Sequence, residues 1–149
     1  MSNKFLTQYY ENMLLSVKES TSHGRSIHAK AILLLAIIKN IEEHKIIANK
    51  IFYNNELRET YNFLFDQYIP EYPITSPVYP FYYLRNDGFM SLKFEEENIK
   101  LRKTPSTKYI QDNVQYASFD NALWDILQDE QSRDTLKHSI INYFFKSNE

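Results

Sequence analysis

The sequence predicts a mainly α-helical domain of the α+β class, in which one central apolar helix carries the core beside a small antiparallel β-hairpin. The stretch from Ala31 to Ile38 is apolar on every side, which is typical of a buried helix. Apolar residues recur at four-residue steps from residue 5 to residue 17, which indicates an amphipathic helix. Aromatic segments on both sides of Asn86-Asp87-Gly88 predict the hairpin.

The first two predicted helices are the amphipathic helix and the core helix. The first spans about residues 5–19 and ends at the Thr21-Ser22-His23-Gly24 break. Ser26 then caps the core helix, because a serine hydroxyl accepts a hydrogen bond from a free backbone N–H of the first turn. The core helix runs over about residues 27–43 and turns polar where it reaches the surface.

A connector over residues 44–54 leads to a third helix with one apolar side. Asn54 or Asn55 caps this helix, and Pro70 ends it, because a proline disfavours helical backbone in the residue before it. Four of the five prolines lie between residues 70 and 80, which predicts an extended loop there.

The predicted hairpin and three short helices complete the chain. The two strands of the hairpin cover residues 81–85 and 89–94. Because we find no internal repeat and no long linker, residues 1–149 form one predicted domain. The last three helices begin at Thr104-Pro105 (running to about residue 114), at Ser118 or Asp120, and at Asp129.

Composition excludes several classes of function. Lys and Arg number 17 against 19 Asp and Glu, so the net charge of −2 excludes a globally basic nucleic-acid binder but permits a local basic patch. The absence of cysteine excludes disulfide scaffolds, cysteine-zinc sites and thiol catalysis. The chain starts without the apolar run of a signal peptide, and its longest apolar run is shorter than the roughly 20 residues of a membrane span. We therefore expect a cytoplasmic protein with no membrane association.

Neither an enzyme site nor a cofactor site is predicted. The four histidines are scattered, and none of them forms a pair with metal-ligand spacing. The aspartates that occur near one another are explained better as helix caps and solvated residues. We therefore predict no catalytic residue, no metal and no cofactor. The histidines are His23, His28, His44 and His138.

Two basic groups are candidate anion contacts. Arg25, His28 and Lys30 lie at the start of the core helix, where free backbone N–H groups favour anions; the alternative is three ordinary solvated residues. The second group surrounds the helix start at Thr104-Pro105 and either holds a DNA backbone or forms a solvated loop. Its members are Lys100, Arg102, Lys103 and Lys108, of which the last three are the predicted DNA contacts.

Three stretches of the chain, in order and spacing, carry a family resemblance. They resemble the sulfur-binding domain of type IV HNH restriction endonucleases, here without the nuclease domain, over residues 26–145. That family recognises phosphorothioate-modified DNA, in which sulfur replaces a non-bridging oxygen of a backbone phosphate. The stretches are Ser26–Ile38 with Asn49–Ile51 and Glu56-Leu57; Tyr79–Leu84 with Asn86–Phe89; and Phe119–Trp124 with Leu127, Asp129, Arg133, Leu136 and Tyr143-Phe144.

The resemblance implies a mainly helical domain in which an apolar cup holds the sulfur. Tyr79 and Pro80 match the Tyr-Pro pair of that cup, and Lys30, with His28 nearby, matches the basic residue beside the modified phosphate. Taken alone, a Tyr-Pro pair more often ends a loop and starts a strand. Tyr83 occupies a position where the family often has a small residue, so it either fills the cup or turns away from it.

The sequence therefore predicts a DNA-binding module that recognises phosphorothioate-modified double-stranded DNA. It would act in restriction or phage defence without catalysis of its own, and a separate nuclease or effector protein would supply the activity. The alternative is a protein-interaction or regulatory subunit of a defence system that keeps the fold but does not bind DNA. The net charge of −2 and Tyr83 favour this alternative, and Ala31 is a second departure from the family, which tends to have proline at that position.

Overall fold

The computed structural model describes residues 4–22 and 25–145, and it confirms a mainly helical fold with a small antiparallel β element. The strands are β1 (Ser20–Ser22), β2 (Arg25–Ile27), β3 (Met90–Phe94) and β4 (Val114–Phe119). The helices are α1 (Lys4–Leu15), α2 (Ala29–Glu42), α3 (Asn55–Tyr68), α4 (Val78–Tyr83), α5 (Thr107–Asn113), α6 (Asn121–Gln128) and α7 (Glu130–Phe144), with a 3-10 turn at Leu84–Asn86.

Helix α2 is the central helix, as predicted. Every residue from Ala31 to Ile38 is buried, and α3, α4, α6 and α7 all pack against α2. Asn40 is the one buried polar residue of this helix. Its side-chain oxygen accepts a hydrogen bond from the Thr60 hydroxyl at 3.0 Å, and its carbonyl accepts from the Lys45 and Ile46 amides. Burial of this amide therefore leaves no oxygen without a partner.

The predicted hairpin around Asn86-Asp87-Gly88 is wrong in its first strand. Residues 81–85 lie in α4 and the 3-10 turn, because Val78, Phe81 and Tyr82 are buried together at helical spacing. The second predicted strand is confirmed as β3, but its antiparallel partner is β4, with Met90 opposite Phe119. At the position of β4, the sequence predicts the end of a helix followed by a connector, so this strand is not predicted.

The start of the core helix also differs from the prediction. Ser26 lies in β2 rather than at a helix cap, and α2 begins at Ala29 after His28, which makes no side-chain capping bond. Strands β1 and β2 pair where a break was predicted, and residues 23 and 24 of that break lie outside the described residues. Helix α1 ends at Leu15, four residues before its predicted end, so Glu19 lies in the non-helical segment that follows.

Several helix boundaries follow local capping chemistry. Asn54 accepts a hydrogen bond from the Leu57 amide at 2.9 Å, and Asp129 accepts one from the Ser132 amide at 2.9 Å, as predicted for both helix starts. Asp120 precedes α6, one of its two predicted starts. The predicted Thr104 cap is wrong, because Ser106 accepts from the Tyr109 amide and α5 begins at Thr107.

The proline-rich loop ends earlier than predicted. Pro77 precedes α4, and Pro80 lies inside its first turn, where the missing backbone N–H has no helical partner to lose. Within the described residues, no helix combines the length and apolar character needed to cross a membrane.

Candidate functional site

An open cleft of about 630 Å³ lies between the start of α2 and the short helix α4. Helix α4 contributes Tyr79, Pro80 and Tyr83 to its lining, and α2 contributes Lys30. The fold therefore brings together all three predicted cup residues and the predicted phosphate contact, although about 50 residues separate them in sequence. The other lining residues are Lys18, Glu19, Ile27, Ala29, Thr75, Ser76 and Asn86.

The aromatic wall of the cleft consists of Tyr79, Pro80 and Tyr83. The Tyr79 and Tyr83 rings lie parallel to within 4°, with their centroids 6.5 Å apart, and Tyr79 is 46% exposed. Tyr83 does not turn away from the cleft: its ring lines the space, and its hydroxyl donates a hydrogen bond to the Lys103 carbonyl oxygen. The cleft remains open with Tyr83 in this position.

The other side of the cleft is a charged cluster formed by Glu19, Lys30 and Asp87. Lys30 Nζ lies 2.6 Å from Asp87 Oδ2, and their side chains are only 13% and 4% exposed. The other Asp87 oxygen accepts a hydrogen bond from the Lys18 amide at 3.0 Å. Because an ammonium group has three N–H donors, Lys30 retains donors for a ligand although Asp87 compensates its charge.

Glu19 is the unusual acid of this cluster. Burial is the main cause that raises the pKa of its carboxyl group to about 8; the charge of Asp87 acts in the same direction, while Lys30 and the Ala31 amide oppose the shift. Glu19 therefore holds a proton at neutral pH, and the charges of Lys30 and Asp87 cancel. The charged cluster has no net charge under these conditions.

His28 lies beside Glu19, at the edge of the charged cluster. Burial lowers the pKa of its imidazole and so disfavours the charged form. Its Nδ1 lies 3.3 Å from Glu19 Oε2, and the ring packs against Phe144 and Phe145 with centroids 5.1 and 5.8 Å away. Arg25 begins β2, and its side chain lies outside the described part of the structure.

The second predicted basic group is divided by the structure. Arg102 stands over the Tyr109 ring at 5.2 Å, and its amide donates to the Tyr82 hydroxyl at 3.1 Å. Lys103 is exposed, and its carbonyl anchors the Tyr83 hydroxyl, so this segment adjoins the aromatic wall. Lys108 is 85% exposed, does not line the cleft and pairs with Asp112 at 3.0 Å.

Sequence reasoning missed the acids that control the charge of the cleft. Asp87 was interpreted as part of a hairpin turn, and Glu19 as the end of a helix. Neither position has a sequence signal for an ion pair, because Asp87 is 57 residues from Lys30 and Glu19 lies beside them only after folding.

The fold is similar to that of a solved structure, the "Sulfur binding domain and SRA domain of ScoMcrA complexed with phosphorothioated DNA". The similarity has a TM-score of 0.70 at 14% sequence identity. It covers 91% of this chain and 42% of that chain, so this chain spans less than half the length of the other. No protein-family model and no curated protein match the sequence. At this identity the similarity shows the fold.

Proposed function

We propose that this chain binds the backbone of double-stranded DNA and recognises a phosphorothioate within it. The observation that carries the proposal is the cleft, in which an apolar aromatic wall and the Lys30 ammonium group line one open space. The solved structure with a similar fold was determined with phosphorothioated DNA, which supports the same class of ligand for this chain.

The aromatic wall suits sulfur better than oxygen. A phosphorothioate sulfur is larger, softer and less strongly hydrated than a phosphate oxygen. Moving the strongly hydrated oxygen onto the apolar ring faces of this wall, which offer no hydrogen bond, carries the larger free-energy penalty. Selectivity then comes from the exclusion of oxygen at the wall, and general affinity comes from cationic donors such as Lys30.

The proposed role is recognition without catalysis. We infer that this chain marks modified DNA in a restriction or defence system and that a separate nuclease or effector protein acts on it. A nicking assay on modified plasmid DNA tests this part, because activity of the purified chain alone would overturn it.

The decisive experiment is a low-salt titration with two matched short duplexes, one of which carries a single phosphorothioate of natural stereochemistry. Tighter binding to the modified duplex is the expected result. Equal, salt-sensitive binding would show a general backbone binder and overturn sulfur selectivity. Absence of binding to both duplexes would overturn the DNA proposal.

Removal of the Tyr79 ring tests the aromatic wall. Tyr79→Ala should reduce the preference for the modified duplex by about 1 kcal/mol, roughly fivefold in relative Kd, because the apolar contact with sulfur is lost. Affinity for the unmodified duplex should change little. Tyr143→Ala is the matched control, because Tyr143 is also exposed but does not line the cleft. Equal losses for both duplexes would count against the wall as the sulfur contact.

One observation favours a protein-interaction subunit as a second candidate function. Asp87 compensates the charge of Lys30, so the buried ion pair adds no net charge to the apolar wall of the cleft. Such a surface fits a protein partner. Absence of DNA binding in the titration, together with a stable complex with a defence-system protein, would establish this alternative.

A further inference from the structure

A second depression lies directly beside the cleft. It has a volume of about 360 Å³ and shares the lining residue Ser76 with the cleft, so the two spaces are neighbours across the Ser76-Pro77 segment. Its walls come from the start of α3, the start of α5 and the segment before α3. They include Tyr53, Asn55, Arg58, Glu59, Asn62 and Thr107.

Arg58 supplies a fixed and uncompensated positive charge at this depression. Its guanidinium group lies 5.5 Å from the centre of the Tyr53 ring and donates a hydrogen bond to the Asn55 side-chain oxygen. Among the residues that the structure describes, no carboxylate forms a salt bridge with Arg58 within 4.0 Å. Lys30 differs from Arg58 in this respect, because Asp87 forms a salt bridge with Lys30.

Hydroxyl groups surround the same space. The Tyr53 hydroxyl is buried, and the Ser76 and Thr107 hydroxyls lie near it. Burial raises the pKa of Tyr53, and the nearby Thr107 and Ser76 hydroxyls and Arg58 guanidinium oppose that shift. The depression therefore combines one guanidinium group with neutral O–H donors, which is the donor set that binds a phosphate.

We propose that this depression is a second backbone subsite, in which Arg58 binds the phosphate next to the one held in the cleft. The inference rests on the proposed function and extends its footprint to a neighbouring nucleotide. Because the two spaces share the wall residue Ser76, a strand with one phosphate in the cleft can place a neighbouring phosphate at the depression. The planar fork of Arg58 matches the paired oxygens of a phosphate better than a point charge does.

Thr107 connects the depression with the basic segment that precedes α5. Thr107 begins α5, directly after the segment that contains Arg102 and Lys103. Because Thr107 lines the depression with Arg58, the subsite adjoins the basic group predicted from sequence. Glu59 also lines the depression and opposes an anion there.

The salt dependence of DNA binding tests the subsite. Arg58→Gln should weaken binding to modified and unmodified duplexes alike and reduce the salt slope of log K by about 0.9, one released counterion. Between 50 and 200 mM salt the fold-change in Kd should then be about threefold smaller than for the parent protein. Lys39→Gln is the charge-matched control, because Lys39 pairs with Glu43 at the other end of α2.

Two further variants separate contact from packing. Arg58→Lys should keep the salt slope but bind less tightly, since the charge remains and the fork is lost. Glu59→Gln should bind both duplexes more tightly, since it removes repulsion without altering Arg58. A structural role over Tyr53 would instead lower the stability of Arg58→Gln and leave its salt slope at the parent value.

The outcomes distinguish this inference from the proposed function. If the parent protein prefers the modified duplex and Arg58→Gln keeps the parent's salt slope, the subsite is overturned while sulfur recognition stands. If Arg58→Gln lowers the slope and sulfur preference is absent, the subsite stands as part of a general backbone binder. If the parent protein binds neither duplex, both proposals fail.

Discussion

The two sides of the cleft are held in place by different forces. The charged cluster lies under the surface, where Lys30 and Asp87 pair at 2.6 Å and Glu19 is largely buried. The aromatic wall lies at the surface, where Tyr79 is nearly half exposed and the Tyr83 hydroxyl bonds one backbone carbonyl. The charged cluster therefore fixes the cleft and holds Lys30 at its lining, whereas the aromatic wall has free surface available for a ligand.

This difference separates stability from recognition. Changes in the charged cluster should act first on the free energy of unfolding, because buried charges lose partners that water does not replace. Changes in the aromatic wall should act first on ligand selectivity, since its rings contribute less to the folded core. The following variants test that division, in order of expected effect.

The largest effect is expected when the buried ion pair is broken. Asp87→Asn should lower the free energy of unfolding by about 3 kcal/mol, because Lys30 would remain charged and buried without its partner. Urea unfolding at neutral pH measures the change. Asp112→Asn provides a control, because it breaks the exposed Lys108–Asp112 pair and should cost about 0–1 kcal/mol. Equal losses in both variants would contradict the division between the two sides.

The same pair marks the limit of prediction from sequence. The apolar face of α2 and the caps at Asn54 and Asp129 could be predicted, because periodicity and capping are local in sequence. The Lys30–Asp87 pair could not be predicted, since it joins residues 57 positions apart through packing of the whole domain.

The wrong prediction of the first hairpin strand has the same origin, because it also depends on contacts between distant parts of the chain. Asn86-Asp87-Gly88 is a strong local turn signal, and Gly88 does adopt a positive φ of 94°. The preceding segment nevertheless buries Val78, Phe81 and Tyr82 as a helix, and β3 finds its partner in the distant strand β4. Tertiary burial outweighed the strand propensity of these aromatic residues.

The second-largest effect is the pH dependence that Glu19 gives to the free energy of unfolding. Its pKa of about 8 lies above the value of 4.5 that applies to an unfolded chain, so the folded state binds the additional proton between these values. Its contribution to stability is therefore fully present below about pH 4.5 and is lost as pH rises towards 8. From pH 6 to pH 7.5 the loss should be on the order of 2 kcal/mol.

Glu19→Gln should remove this dependence, because glutamine is neutral throughout. The difference in free energy of unfolding between the variant and the parent protein should grow with pH and level off above about 8. Unfolding titrations of both proteins at four pH values measure it, and the same pair of titrations in a His28→Gln background removes the contribution of the neighbouring imidazole. Parallel curves would show that Glu19 has an ordinary pKa and that the charged cluster is negatively charged at neutral pH.

The smallest effect on stability is expected at Tyr83. Tyr83→Phe removes the hydrogen bond to the Lys103 carbonyl and should lower the free energy of unfolding by about 1 kcal/mol or less, with sulfur preference retained. Tyr83→Ala removes the ring as well, so it should widen the cleft and change relative affinity for the two duplexes. Comparison of the two variants by unfolding and titration separates the hydroxyl from the ring. A loss of stability in Tyr83→Phe as large as that in Asp87→Asn would contradict the division between the two sides. The Tyr83 hydroxyl would then anchor the segment before α5, and the aromatic wall would be as much a part of the folded framework as the charged cluster.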